Sequence, residues 1–388
     1  MPATFDIIII GAGPAGLRAA AAVIDAHGQA RLALIDKNPD PRAVVACAEG
    51  VGRLGFHRIL DIRPEWIRLV IDKATFHAPD GTAVHYSDRN KGYIINRSLM
   101  QRDLSRWCEE RGAHLIRGVR VNAVSMRDRD GMRTVQCANG DVFTARVVID
   151  CSGPLSTFGR NEPISAKAPD LEVACFAHVE NQTLPKDTVH LFMGSRLAPG
   201  GYAWAFPRDA TSMNIGLLVG SAWRGSVNIR RLLDDFIESN FGACAVHKIY
   251  AGTIPCSGVK TTSAAPGLIK AGDAASTVNP ISRAGIVEAL ISGKLAGETA
   301  AAMLAATSQA DYRKLCADHA RRWNEALGKK HRKLARAKQS LAKIPDQDYV
   351  NAARGLSQFT SGELTMSRIF RVSLGRFPRL AWSMRRLM

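Results

Sequence analysis

The chain has 388 residues, 46% of them hydrophobic, enough to bury a large core and, by length, to make two or three lobes. No window reaches the roughly 18 apolar residues of a membrane span, and Phe5 to Ile10 runs into glycines where a signal peptide would place a cleavage site, so a cytoplasmic protein is expected. Of the net charge of +17, only about +4 belongs to the first 312 residues, because residues 313–388 hold 18 Lys/Arg against 5 Asp/Glu; this argues against nucleic acid and for a local patch facing an anionic membrane, an acidic partner or water.

Phe5 to Ile10 ends in four isoleucines, as a central parallel strand buried on both faces would. Gly11-Ala-Gly13-Pro-Ala15-Gly16 follows at once, then an alanine-rich helix from about Pro14 to Ala26 and a second strand from Arg31 to Ile35. Asp36 and Lys37 stand at its end, Asp36 lying 20 residues after Gly16. Strand, glycine turn, helix and acid make the dinucleotide fingerprint: glycines for close approach, a helix N-terminus for a diphosphate, a carboxylate for ribose hydroxyls. No second fingerprint occurs, so the site is read as holding one tightly bound cofactor.

Val44 to Gly52 then sets one thiol, Cys47, and one carboxylate, Glu49, among residues too small to hide them. Ser98 can cap a helix carrying Met100, Leu104, Trp107 and Cys108, with strands expected at 114–126, 133–138 and 142–150. The segment from about 170 to 262 reads as mostly strands, with one helix near 228–239. Tyr202, Trp204 and Phe206 alternate, so on an extended segment they share one face. Such a strip suits a wall for a flat ring or a long apolar chain, or ordinary packing into a sheet. Leu268 to Ser276 repeats a buried strand running into a small-residue turn, Gly285 to Leu304 is an Ala-rich helix, and beyond 306 the chain turns helical and basic. The eight cysteines are scattered, without Cys-x-x-Cys pairs or His at ligand spacing, so neither a metal site nor a disulfide framework is suggested.

The N-terminal GxGxxG and a Gly-Asp some 260 residues later resemble the FAD-dependent oxidoreductases of the para-hydroxybenzoate hydroxylase fold. Within that superfamily the chain most resembles the geranylgeranyl reductase family, over roughly residues 5–305. Cys47-Ala-Glu49-Gly50-Val51 looks like the family's Cys-Gly-Glu/Asp-Gly segment, and Asn96-Arg97 like the arginine that reaches the cofactor. Gly201-Tyr202-Ala-Trp204-Ala-Phe206-Pro207 is similar to its Tyr-x-Trp-x-Phe-Pro motif, and Gly272-Asp273 with Gly285-Ile286 to the loop and helix that hold the flavin. Three departures stand out. Cys151-Ser152-Gly153-Pro-Leu-Ser156 replaces Ala-Asp-Gly-x-x-Ser, Ser282-Arg283-Ala284 stands where glycines are commoner, and Ala48 replaces a glycine.

The resemblance implies an α/β fold. A Rossmann-like FAD-binding domain would be assembled from 1–160, with a short insertion at 62–95, and from 263–305; an antiparallel-sheet substrate domain would span 161–262 and a basic helical region 306–388. FAD would be held by Gly11, Gly13, Ala15, Gly16, Asp36, Lys37, Arg97, Gly272, Asp273, Gly285 and Ile286. Arg97 could equally be a surface arginine. The implied activity is saturation of double bonds in a polyprenyl chain on a lipid or isoprenoid, with electrons from NADPH or a ferredoxin-like protein.

An isolated prenyl double bond has no carbonyl to polarise it, so hydride must be matched by a proton delivered to the other carbon. A thiol is still protonated at neutral pH and tolerates an apolar channel, which makes Cys47 a proton donor and Glu49 its means of reprotonation. The alternatives are a small buried hydrophobe and a carboxylate capping backbone amides. Tyr202, Trp204 and Phe206 would line the channel. The tail from Ser367 to Met388 mixes six arginines with large apolar side chains, like an interfacial anchor on the inner face of a membrane or a partner-docking segment. The rival functions are an oxygen-using hydroxylase or halogenase of the same fold, the latter lacking its Trp-x-Trp-x-x-Ile-Pro here, and a prenyl-binding escort that needs no flavin.

Overall fold

The structure, a computed structural model, describes residues 2–40, 45–164, 170–180, 184–257, 262–364 and 372. The chain folds as two compact units, each drawn from three stretches of sequence. The first comprises Met1–Val45, Arg97–Asp170 and Pro255–Arg332. Its sheet runs Ala264–Ala265, Leu268–Lys270, Val142–Asp150, β1 (Ala3–Ile10), β2 (Leu32–Asp36), His114–Arg117. β1 has parallel partners on both sides, Ile7 lying opposite Leu32 and Val147. Ile7, Ile8 and Ile9 are wholly buried, which is why consecutive isoleucines suit this position.

On one face, α1 (Pro14–Ala26) lies against the helix Ile286–Leu304. A Cβ on Gly293 would sit 2.2 Å from the Ala15 carbonyl oxygen, and one on Gly297 2.3 Å from that of Ala19, so the two backbones meet with no room for a side chain. At the C-terminal edge of the sheet, Lys270 and Asp150 pair at 3.4 Å with no exposure of either side chain. Asp150 also accepts hydrogen bonds from the Ser152 amide and from the hydroxyls of Ser152 and Ser156, so this buried charge is fully partnered. The strand expected over 114–126 is interrupted: it becomes His114–Arg117 and Val121–Val124, because Gly118 turns the chain at φ 73°. The helix expected from Ser98 starts at Arg97, which puts Ser98 inside the first turn and not at the cap.

The second unit comprises Ala46–Asn96, Leu171–Ile254 and Lys333–Met388, around one eight-stranded sheet. Residues 62–95, expected as an insertion in the cofactor domain, supply its long hairpin, Ile67–His77 with Ala83–Ile95. Thr188–Phe192 runs parallel to Ile67–His77, whereas Tyr202–Pro207, Ser212–Val219 and Leu171–Glu180 pair antiparallel. Ala203, Ala205, Ile215 and Leu217 face the helix Ile229–Phe241, which buries Leu233, Phe236 and Ile237 against them. Its N-cap, Asn228, accepts the Arg231 amide as its residue type predicts. Beyond 306, Gln309–Trp323, Lys329–Leu341 and Asp346–Leu356 are helices, the first opened by a Ser308/Asp311 capping box. No described helix is long and apolar enough to cross a membrane. The basic tail Ser367–Met388 lies outside the described residues except for Val372.

Candidate active site

In the first unit, β1 delivers the chain into the glycine turn. Gly11 sits at φ 99°, where a Cβ would lie 2.4 Å from the Cys151 carbonyl oxygen, and a Cβ on Gly16 would lie 1.8 Å from that of Gly11. Gly13 differs: nothing lies within 4 Å of the position a Cβ would take. The turn is thus closed by protein at two glycines and open at the third, beside the uncapped start of α1, where free N–H groups suit a diphosphate. Asp36 accepts the Ala12 amide at 2.5 Å and the Asn38 amide at 2.7 Å, so the carboxylate expected at a ribose also ties the glycine turn to the end of β2. Lys37 is exposed beside it. Ala15 is buried, and its methyl group would lie 2.8 Å from a Cβ on Gly272, which places it in packing between the turn and the second glycine element.

That element is the 3-10 turn Gly272–Ala275, with Gly272 at φ 61°. Gly285 caps the helix Ile286–Leu304, and a Cβ on it would come 3.8 Å from Asp273 Oδ1, so Asp273 and the helix start are neighbours; Ile286 is buried behind them. No hydrogen bond from a described residue reaches the Asp273 carboxylate. Burial pushes its pKa up to about 6, against the pull of the Arg97 guanidinium. A partly buried carboxylate short of donors fits a polyol. Arg97 opens its helix and donates from Nε to Gln101 at 2.8 Å. Arg283, standing where glycines are commoner, adopts φ 57°, the glycine-like conformation, at a strain of about 1 kcal/mol. The glycine turn, Asp36 and the Asp273 element therefore fit a flavin dinucleotide.

The second unit holds the thiol segment. Cys47 is partly exposed and its Sγ accepts the Glu49 amide N–H at 3.2 Å. Its carbonyl accepts Asn214 Nδ2 at 3.0 Å, and Asn214 Oδ1 accepts the Trp204 indole N–H at 2.8 Å. Glu49 is buried at φ 61°; its carboxylate lies 3.4 Å from Arg208 Nη2 and 4.0 Å from Arg68 Nε. Phe206 rests against Gly50, where a Cβ would lie 3.2 Å from the ring. Cys47, Glu49, Trp204 and Phe206 are thus brought together.

Tyr202, Trp204 and Phe206 do share a face, with successive ring centroids 6.3 and 6.5 Å apart. Phe176 and Tyr250, stacked at 4.9 Å, extend this strip onto neighbouring strands. Gly216 makes room for it, since a Cβ there would lie 2.4 Å from both Trp204 and Phe176. His178 stands opposite Asn214 on the adjacent strand, its pKa pushed down to about 4 by burial and by the nearby Arg208. Asn214, Gly216, Arg68, Arg208 and His178 are the residues that sequence reasoning missed. The signal available was a lone asparagine and glycine in the otherwise apolar run after Ser212 in the fully buried Ser212–Val219 strand.

The geranylgeranyl reductase catalytic domain model matches residues 170–253, and the lycopene cyclase protein model residues 6–208. Over 389 residues, 98% of each chain, the protein is 28% identical to a digeranylgeranylglycerophospholipid reductase of Methanocella arvoryzae. With the reductase of that name from Methanoculleus marisnigri it shares 31% identity over 315 residues, 79% of each chain. A geranylgeranyl bacteriochlorophyll reductase-like structure from Thermoplasma acidophilum matches it with a TM-score of 0.88 over the full length of both chains, at 22% identity, a likeness of fold.

Proposed function

Because the chain belongs to the geranylgeranyl reductase family, we propose that it saturates carbon–carbon double bonds in geranylgeranyl-type chains of a glycerophospholipid, with FAD as cofactor and Cys47 as proton donor. A flavin held at the glycine turn, Asp36 and Asp273 would be the hydride source for one alkene carbon. The protein's task is the proton for the other carbon. The observation that carries the reading is the Glu49 N–H aimed at the Cys47 sulfur, in a segment pinned through Asn214 to the aromatic strip. A donor on sulfur stabilises the charge that remains there once the proton has gone to carbon. Arg208 and Arg68 hold Glu49, fixing the direction of that N–H. Solvent then returns a proton to the sulfur by way of Glu49. Tyr202, Trp204 and Phe206 offer an apolar chain an aromatic wall, in which the Trp204 indole N–H is already taken by Asn214. We assign the electrons to NADPH or a ferredoxin-like protein and the basic tail to the surface of the membrane that carries the lipid.

The test is the anaerobically reduced protein with geranylgeranyl glycerophospholipid, read by the mass gain of one H2 per bond. Cys47→Ser should keep flavin absorbance and lower turnover by about 100-fold or more, the usual loss for a proton donor. Equal turnover by the two proteins assigns the thiol to packing. Protein with neither flavin absorbance nor uptake of added FAD removes the cofactor from the reading.

A further inference from the structure

The helix Ile286–Leu304 starts beside Asp273 with no side-chain cap, and 19 residues of aligned peptides give its N-terminus about half a positive charge. Glu288 is the acidic residue of its first turn. The residue is 9% exposed, and Oε2 is buried with no hydrogen-bond partner among the described residues. The residue's own amide N–H reaches the carboxylate, but Oε2 is left without a donor, so burial favours the neutral form. We propose that Glu288 takes up and releases a proton that sets the sign of charge at this helix end, and thereby tunes the reduction of a flavin bound there. The inference rests on the FAD reading above. With the proton on, the helix end is positive and favours an anionic ligand group; with it off, a full negative charge outweighs the helix dipole.

The remaining charged groups do not replace it. Asp273 lies on the adjoining turn under the pull of Arg97, Arg283 stands just ahead of the helix, Arg18 lies on α1, and Asp150 with Lys270 form a closed pair in the sheet; none of these is a carboxylate within the helix's own first turn. On the helix itself Lys294 and Glu298 lie further along, and Glu298 is also paired with Arg322 of Gln309–Trp323. His319 on that helix is bound by Ser263 and Thr299. His331, on the helix after it, is buried with its pKa pushed down to about 4 by burial and by Lys330, so it is neutral here. Lys330, exposed, is the cation whose charge reaches Glu288; burial outweighs it and pushes the carboxyl up to about 7. Reduction of the flavin adds negative charge at the helix end, so by reciprocity it raises proton affinity at Glu288 and draws a proton from solvent.

The experiment is a spectroelectrochemical titration of the FAD-loaded full-length protein from about pH 6 to pH 9, a range that brackets the carboxyl. Above about pH 7, wild type should take up one more proton per two electrons than Glu288→Gln. Lys330→Gln, on the surface, should move that onset to higher pH by removing a cation that favours the carboxylate. Reduction at alkaline pH should also bring up a carboxylic C=O infrared band in wild type that Glu288→Gln lacks. Identical slopes in wild type and Glu288→Gln overturn the proposal. Should the Gln variant not retain FAD, an onset unmoved by Lys330→Gln overturns it. Failure of the cofactor reading would show separately, as wild-type protein without flavin absorbance, and would remove this inference with it.

Discussion

Glu49 sits at φ 61°, a conformation its side chain resists by about 1 kcal/mol, and two guanidinium groups hold it there. The strain has a geometric result: it turns the Glu49 N–H back onto the sulfur two residues earlier. Glu49→Gln keeps the shape but leaves Arg208 and Arg68 without their counter-charge. It should destabilise the protein by ~1–3 kcal/mol in urea unfolding and slow alkene reduction about tenfold, with flavin absorbance unchanged. Unchanged turnover would leave Glu49 a backbone cap. Cys47 and Glu49 were legible in the sequence because small neighbours isolate them, and the aromatic strip because its period is two. Asn214 was not, since its meaning lies in the register that sets it opposite Phe206 and His178, and strand register is written in no local pattern.

Among elements, those fixed by short-range chemistry were readable: the Ile7–Ile10 strand, the glycine turn and the helix α1 that follows it. The break at Gly118 was not, because a glycine inside a strand-like run gives no sign of its φ. The helix Gln309–Trp323 carries a testable pH dependence. His319 is 3% exposed between Ser263 Oγ and Thr299 Oγ1, each at 3.1 Å, and burial pushes its pKa down to about 4. The folded-state value lies below the unfolded one, near 6.5, so its contribution is whole above that pH and is lost as pH falls towards about 4. The loss reaches at most ~3 kcal/mol. His77, His178 and His331 shift in the same direction, whereas Asp273 and Glu288, raised by burial, oppose them. The comparison must therefore be with His319→Gln. Between neutral pH and about pH 4.5 this variant should lose less urea stability than wild type, by up to ~3 kcal/mol. Parallel curves would mean that the imidazole is not held neutral.

For the whole molecule, the motifs from residue 5 to 305 announced the cofactor fold, but not that 46–96 joins 171–254 in one sheet, because pairing between distant segments leaves no trace in either one. Charge is the whole-chain property the sequence does state, and it concentrates at the end: six arginines lie between Ser367 and Met388. Removing the entire tail would confuse two effects, since Val372 packs against the buried cluster of Val84, Ala353, Leu356 and Leu364. The cleaner test changes charge beyond it, replacing Arg376, Arg379, Arg385 and Arg386 by glutamine. Each basic residue near an anionic surface contributes on the order of 1 kcal/mol before screening, so the four together should weaken binding to phosphatidylglycerol-containing vesicles by at least about tenfold at low salt. Phe377, Leu380 and Trp382 remain in the variant, so residual binding should survive as the apolar part of a two-signal anchor. Wild-type binding should itself fall as added salt shortens the screening length below about 8 Å, while that of the variant stays nearly flat. Flavin absorbance should not change, because the cofactor motifs all precede residue 305. If both proteins co-sediment equally with anionic vesicles at low salt, charge does not hold this chain to a membrane, and the tail is better assigned to docking on a protein partner.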